Sequence, residues 1–393
     1  MIIHILTTLP SSSLSSSHLP LLLKYLKSHF ASLNNTPTGF TDFHNALRLL
    51  DTYLLAQWNM DRETQAVFEK AGAEWLIDSL VRLGVAAQRV ELASEDDAEQ
   101  GGKCTEMVFR CLISLTHSDQ KWCERLMENE FAISFVFREI VQAGRARWTP
   151  PKHGKTASKR TGKVKKEEDQ VDTEVDTDAD ADAHSAQDAV QALDRLCLAL
   201  GLWMNLVQVL PSAKNMLRDF CKLVVPCTSR LTHAVDSGID ASCPLSQSCL
   251  PKCKCRSPTS GLSILVDVYK HHQAALSVKK EPEALDGEEL ASSADASFLL
   301  GHLSLLLGLL MMDSETNQTL IIKALPETGS RSAKLNRLVE QAKEVGSFYS
   351  KISRNEDAES DDGGGMISRA GEEAAEEIIL FLEKLRDRGS WTT

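Results

Sequence analysis

The stretch "FLLGHLSLLLGLLMMDSETNQTLIIKALPE", residues 298–327, decides the fold class of this 393-residue chain. Its apolar first half, Phe298 to Met312, is too short to cross a bilayer, which needs roughly 20 apolar residues. A polar turn at Asp313 follows, and apolar residues return at helical spacing from Asn317 to Ala324. The pattern predicts a buried helix, a short connection and a second amphipathic helix.

Two other stretches repeat this layout. They are "FRCLISLTHSDQKWCERLMENE" at 109–130 and "LALGLWMNLVQVLPSAKNMLRDF" at 198–220. A single helix pair of this kind cannot bury its apolar face, so several pairs are expected to stack on one another. The sequence therefore predicts an all-α fold, an irregular α-solenoid of armadillo- or HEAT-like helix pairs with long disordered insertions.

Composition limits the classes of function. The net charge of −12 argues against a surface that binds DNA directly, although a local basic patch could still bind phosphate. The 10 Cys residues follow no regular framework, and those within helical patterns indicate free thiols in a reducing compartment. The first residues lack a basic segment before the apolar run, which Pro10 interrupts, so we expect a cytosolic or nuclear protein without a membrane span.

Shifts in composition divide the chain. We predict an N-terminal segment of uncertain structure, two helical-repeat lobes and a disordered insertion between the lobes. In order they cover residues 1–40, 41–144 (first lobe), 145–192 (insertion) and 193–385 (second lobe), with disordered loops in the second lobe near 238–260, 278–296 and 353–366. The polar run 94–103 is predicted to be a loop within the first lobe.

The insertion contains two opposite charge blocks. Residues 145–166 carry nine Arg or Lys and no acid, whereas 167–182 carry nine acids and no base. Such blocks cannot bury enough apolar surface to offset chain entropy. The compact basic run is a candidate nuclear import signal, and the alternative is a linker neutralised by the acidic block. The candidate import residues are Lys159, Arg160, Lys163, Lys165 and Lys166.

The remaining candidates for metal binding or catalysis are a cysteine cluster and known catalytic motifs. Cys243, Cys249, Cys253 and Cys255 contain one spacing that zinc ligands use, but a thiol-rich loop is the favoured interpretation and no metal is predicted. No Gly-rich phosphate loop, metalloprotease motif or nucleophile elbow occurs. We therefore expect no enzyme, no catalytic residue, no cofactor and no small-molecule substrate.

Polar and small residues on the apolar helices have structural interpretations. Asn205 is expected to hydrogen-bond to backbone groups of a neighbouring turn and thus clamp two repeats. Asn215 and Asn317 are placed at helix starts, where Asn is a good cap. Gly201 and Gly308 are expected to permit close approach of two helices, at a cost of about 1 kcal/mol each relative to Ala.

Three segments in this order resemble the C-terminal domain of the wings apart-like (Wapl) family of cohesin release factors. They are "LCLALGLWMNLVQ" at 196–208, "LSLLLGLLMMDSETNQTLIIKALPE" at 303–327 and "ISRAGEEAAEEIILFLEKL" at 367–385. Leu200, Gly201, Leu202, Asn205, Leu206 and Val207 match the first family motif, and Leu305 to Leu309, Asn317, Leu325 and Pro326 match the second. The resemblance is specific over about 193–385 and looser over 40–140.

The resemblance implies a non-enzymatic regulator of sister-chromatid cohesion in the nucleus, associated with chromatin. Such proteins bind cohesin at its ATPase heads, its kleisin and its HEAT-repeat accessory subunit, and promote opening of the ring. Family members usually also carry Phe-Gly-Phe and Tyr-Ser-Arg motifs in an N-terminal arm. Neither motif occurs in this sequence, a departure that bears on recruitment of the whole release machinery by this chain alone.

The partner-binding surface is predicted near the turn at 313–327, with Asn317, Lys323, Pro326 and Glu327 as candidate contacts. For Asn317 and Pro326 the alternative is structural, because Asn caps a helix and Pro ends one. Two other classes of function stay open. One is a general armadillo- or HEAT-type adaptor, such as a transport or ubiquitin-ligase scaffold, and the other is a zinc-stabilised nucleic-acid module.

Overall fold

Helix is the only regular element among the residues that the structure describes, so the all-α prediction is confirmed. Leu, Ala and Glu dominate these segments, and each favours helix over strand. The computed structural model describes residues 18–32, 40–57, 66–68, 70–71, 73–93, 95–117, 119–148, 178–219, 260–278, 287–327, 329–359 and 365–388. The helices are α1 (Leu19–Ser32), α2 (Phe40–Gln57), α3 (Trp75–Ala93), α4 (Glu95–Thr116), α5 (Gln120–Glu128), α6 (Ala132–Trp148), α7 (Asp178–Val209), α8 (Pro211–Asp219), α9 (Gly261–Val278), α10 (Gly287–Met311), α11 (Glu315–Ala324), α12 (Arg331–Glu359) and α13 (Gly365–Arg388).

Among the described helices, a long helix, a short helix and another long helix follow one another three times. These three helix groups are α4–α5–α6, α7–α8–α9 and α10–α11–α12. The short helices have clear start signals: Asp119 caps α5 by accepting from the backbone N–H groups of Lys121 and Trp122, and Ser314 caps α11. Pro211 begins α8, where its missing N–H costs nothing.

The first helices of the three groups pack on one another in chain order. Helix α4 contacts α7, α7 contacts α10, and α10 contacts both α12 and α13. The groups also meet through α6 with α7 and through α9 with α10. One continuous set of buried apolar side chains therefore runs from Leu19 in α1 to Leu385 in α13.

Two helices are long and apolar enough to cross a membrane by length and composition alone. They are α7, over Val190–Val209, and α10, over Ala294–Met311. Half of the first window and 72% of the second are buried inside the protein. The two helices contact each other, and packing among the other helices accounts for their apolar composition.

Several predicted boundaries differ from the structure. Helix α1 lies within the predicted uncertain segment 1–40, and its buried Leu residues join the core. Three of the predicted disordered ranges overlap helices. In 145–192, α6 continues to Trp148 and α7 begins at Asp178; in 278–296, α10 begins at Gly287. In 353–366, α12 continues to Glu359 and α13 begins at Gly365. The predicted loop at 238–260 lies outside the described residues, apart from Ser260.

The predicted loop at 94–103 is wrong, because α4 begins at Glu95. The two glycines of this run, Gly101 and Gly102, lie where α4 packs closely on its neighbours. A Cβ at Gly101 would be 2.8 Å from the backbone oxygen of Ala87 in α3.

Candidate functional site

The predicted partner surface at 313–327 is built on a tight turn between α10 and α11. Asp313 takes the left-handed conformation with φ of 57°, which Asp tolerates better than most residues. The hydroxyl of Ser314 accepts a hydrogen bond from the backbone N–H of Asn317 at 3.3 Å. Lys214 of α8 donates to the carbonyl oxygen of Met312 at 3.1 Å. The turn is therefore held by its own cap and by the preceding helix group.

Asn317 is not placed as a partner contact or as a helix cap. Its side chain is fully buried, and its Nδ2 donates to the carbonyl oxygen of Leu310 at 3.0 Å. The cap is Ser314, three residues earlier. The amide joins α11 to the end of α10, because the last carbonyl groups of a helix have no partner within the helix. The other predicted cap, Asn215, lies inside α8 and is exposed.

We expect Asn317→Ala to lower the free energy of unfolding by about 1–3 kcal/mol, because it leaves the carbonyl of Leu310 buried without this donor. Urea unfolding followed by circular dichroism measures the loss. The matched control is Asn215→Ala in α8, the short helix of the second helix group. It removes an exposed amide and should change the free energy of unfolding by less than about 0.5 kcal/mol. Equal stability of the two variants would contradict the structural role of Asn317.

The other three predicted contact residues differ in their exposure. Lys323 and Pro326 are exposed, whereas Glu327 is partly buried and accepts a hydrogen bond from the side chain of Gln273 in α9. Lys334 of α12 donates to the carbonyl oxygens of Ile322 and Leu325, at 3.0 and 3.3 Å. These bonds satisfy two carbonyl groups at the C-terminal end of α11, next to Pro326.

A groove of about 630 Å³ opens beside this surface. It lies between α11, the beginning of α12 and the end of α13, and its volume is within the range of known ligand pockets, about 300–1,000 Å³. Its lining is mixed, with apolar side chains and several cations. The lining residues are Glu315, Gln318, Thr319, Ile322, Lys323, Gly329, Arg331, Lys334, Leu385 and Arg388. Lys323 was predicted from the sequence, whereas Arg331 and Arg388 were not, because they lie outside the segments 303–327 and 367–385.

The predicted Asn205 contact joins α7 to the end of α4. Its Nδ2 donates to the carbonyl oxygen of Ile113 at 3.2 Å and lies 3.5 Å from the hydroxyl oxygen of Thr116. Leu200, in the same helix, is fully buried. These residues therefore hold the first and second helix groups together.

The glycines of the motif helices are not equivalent. A Cβ at Gly308 would lie 2.5 Å from Cγ2 of Ile378 in α13, so this position needs Gly or a shift of its neighbour. At Gly201 the nearest atom is Cδ1 of Ile113 at 3.8 Å, an ordinary contact, so the expected close approach is absent there. Gly301, which the sequence analysis did not identify, is the tightest position, with Cγ2 of Val345 only 2.0 Å from the same point.

A buried charged cluster joins α3, α6 and α7. Arg195 Nε lies 2.8 Å from Glu139 Oε1, and Arg195 Nη1 donates to Glu91 at 2.7 Å. The other carboxylate oxygen of Glu139 accepts from Gln88 at 2.7 Å. Burial raises the pKa of Glu139, and the attraction of Arg195 opposes this rise. The pair is largely enclosed, so the cluster connects the helices on either side of 149–177.

The buried cysteines are not arranged as reactive groups. Burial raises the pKa of the Cys104 and Cys123 thiols to about 12, and the Cys123 thiol donates to the carbonyl of Thr116. A thiol of such high pKa is neutral and a poor nucleophile. Within the described part of the chain, no group of three His, Cys, Asp or Glu could hold a metal ion.

The predicted import signal and the cysteine cluster lie outside the described residues. These are the candidate import residues Lys159, Arg160, Lys163, Lys165 and Lys166, and the cysteines Cys243, Cys249, Cys253 and Cys255. Comparison with known proteins adds no assignment, since no family model and no curated protein matches this chain.

Proposed function

We propose that the three helix groups form an irregular α-solenoid of armadillo- or HEAT-like type. The repeated order of long, short and long helix supports this proposal, as does the packing of α4 on α7 and of α7 on α10. In a solenoid each repeat contacts its neighbours and a continuous core results. The side-chain links between groups, through Asn205 and Lys214, fit the same arrangement.

We propose that the chain is a non-enzymatic regulator of sister-chromatid cohesion that binds cohesin and promotes its release from chromatin. One observation carries the proposal: the three segments that resemble the Wapl family fall on helices that pack together. The first lies on α7, the second on α10 and α11, and the third on α13, with α10 in contact with all three of the others. Segments far apart in sequence thus belong to one packed block.

The proposed mechanism needs binding and no bond chemistry. A rigid helical surface that binds one conformation of the cohesin ring more tightly shifts the ring towards that conformation, by no more than its differential affinity. The proposed partners are the ATPase heads, the kleisin and the HEAT-repeat accessory subunit. Nuclear localisation and association with chromatin belong to the same proposal, with the basic run 145–166 as the import signal.

The test is capture of purified cohesin subunits by the immobilised chain. We expect the unaltered chain to retain the heads and kleisin, and Lys323→Glu to weaken retention several-fold because it reverses an exposed charge at the proposed surface. Lys24→Glu, which reverses an exposed charge in α1, is the matched control. Circular dichroism first establishes that all three proteins are equally helical.

The proposal fails if the helical, unaltered chain retains none of the cohesin subunits. It also fails if the chain retains them but does not hasten dissociation of cohesin loaded on circular DNA. Capture of a transport receptor or a ubiquitin-ligase subunit in place of cohesin would support the adaptor alternative. Equal capture by the Lys323 and Lys24 variants would remove the 313–327 surface from the interface.

A further inference from the structure

The groove beside α11 combines an apolar floor with a cationic rim. The partly exposed Ile322 supplies apolar surface, and the almost fully buried Leu385 also lines the groove, whereas Lys323, Arg331 and Arg388 are exposed. The acid in the lining is Glu315, against four cations when Lys334 is included. The whole chain has a net charge of −12, so the excess of cations here is opposite in sign to the protein as a whole.

The four cations that line the groove differ in the contacts that they make within the fold. Lys334 is committed to the carbonyl oxygens of Ile322 and Leu325 at the end of α11. Within the described part of the chain, Lys323, Arg331 and Arg388 have neither an ion pair nor a side-chain hydrogen bond. Three segments thus bring three cations without an ion pair to one groove. Lys323 and Arg388 lie in the last turns of α11 and α13, where their charge also interacts favourably with the helix dipole.

We propose that this groove binds an anionic segment of a partner protein. One apolar side chain of the segment packs on Leu385 and Ile322, while its carboxylate or phosphate groups pair with Lys323, Arg331 and Arg388. Arg matches both kinds of anion because its guanidinium presents a planar fork of donors. The volume of about 630 Å³ exceeds what a single anion needs and suits several residues of a peptide.

Charge and shape favour a peptide over nucleic acid. A duplex carries one negative charge per about 1.7 Å of its axis, so binding it requires an extended basic surface. Here three exposed cations line a single groove, and the apolar surface between them offers nothing to a phosphate backbone. This inference rests on the proposed function only in that the chain acts by binding proteins.

The test measures anisotropy of labelled 12-residue peptides during titration with the full chain. The probes are an Asp- and Glu-rich peptide with a central Leu, the same peptide with Asn and Gln at the acidic positions, and a phosphoserine version. The groove variant carries Lys323→Gln, Arg331→Gln and Arg388→Gln. The control variant carries Lys24→Gln, Arg48→Gln and Arg82→Gln, three exposed cations from the first half of the chain with the same total change in charge.

We expect the groove variant to bind the acidic peptide at least tenfold more weakly, since each exposed charged contact contributes modestly and three are lost. The control variant should bind the acidic peptide with an affinity within about twofold of that of the unaltered chain. The neutral peptide should bind all three proteins weakly. Tighter binding of the phosphoserine version than of the acidic peptide would identify phosphate as the anion. Tighter binding of the acidic peptide would identify carboxylate.

Equal weakening in the groove and control variants overturns the inference, because it shows general attraction to positive charge. Tighter binding of a single-stranded or duplex oligonucleotide than of either anionic peptide also overturns it. The result is separable from the proposed function. If the unaltered chain binds the acidic peptide but retains no cohesin subunit, the release-factor proposal is rejected and the groove assignment stands. If the chain retains cohesin but does not bind the acidic peptide, the groove assignment is rejected and the release-factor proposal stands.

Discussion

Replacing Arg195 by Met is expected to lower the free energy of unfolding by about 3–5 kcal/mol. The substitution keeps most of the apolar stem but removes the charge that faces Glu139 and Glu91. The carboxylate of Glu139 is fully buried, so loss of Arg195 would leave it charged without its close ion-pair partner and beside the like charge of Glu91. Urea unfolding monitored by circular dichroism gives the difference.

The matched control is Lys343→Met in α12. Lys343 pairs with Glu383 at 2.6 Å, but its side chain is 53% exposed, whereas that of Arg195 is 12% exposed. Loss of an exposed pair should cost no more than about 1 kcal/mol. A similar cost for the two variants would contradict the view that enclosure makes the Arg195 contacts important.

The penalty at Arg195 should depend on pH. Without Arg195 the pKa of Glu139 rises further above its ordinary value of about 4.3, since burial already raises it. The folded variant then takes up a proton at a higher pH than the unfolded chain does. Relative to the unaltered protein, the variant therefore regains stability as pH falls through the raised pKa, until the unfolded carboxyl is protonated as well. Adding Glu139→Gln should recover much of the loss at neutral pH.

Gly301→Ala is expected to lower the free energy of unfolding by about 2–3 kcal/mol. The new methyl group would overlap Val345, and it would also lie 3.0 Å from the backbone oxygen of Gln341, so a rotamer change alone cannot relieve the contact. The helix preference of Ala offsets about 1 kcal/mol of this cost. The same unfolding experiment measures the effect.

Gly201→Ala is the control with the opposite sign. It adds the same methyl group to another Leu-rich helix, where the nearest atom is 3.8 Å away. The stability of this variant should rise by roughly 0.5–1 kcal/mol. Combining Gly301→Ala with Val345→Ala should recover part of the loss, because the closest atom, Cγ2, is removed. Stabilisation by Gly301→Ala would show that α10 and α12 are less tightly packed than described.

The contrast between these glycines shows how far sequence reasoning reached. Gly201, Gly301 and Gly308 all follow or precede Leu within apolar helices, and their local patterns are alike. What distinguishes them is the residue opposite, and Val345 and Ile378 belong to helices elsewhere in the sequence. Periodicity predicted the helices and their apolar faces, because both depend on local spacing. It could not predict which facing residue would meet which glycine.

The same limit applied to the candidate site. The turn, the helix pair and the exposure of Lys323 follow from the local pattern. A structural role was considered for Asn317 as a helix cap, whereas its amide in fact donates to the carbonyl of Leu310. The groove itself depends on Arg331 and Arg388, which begin α12 and end α13 and meet α11 only after packing. The helix at 95–103 was missed because the polar composition of this run was taken to indicate a loop, whereas Gly101 packs closely on the backbone of α3 within a helix.

The contact between α6 and α7 has a further consequence for residues 149–177, which connect them. The chain leaves and rejoins the folded body at two helices that already touch and share the Arg195–Glu139 pair. Closing a connection between adjacent elements costs only about 0.6 kcal/mol more for each doubling of its length. The fold can therefore accept a longer connection between these two helices with little loss of folding free energy.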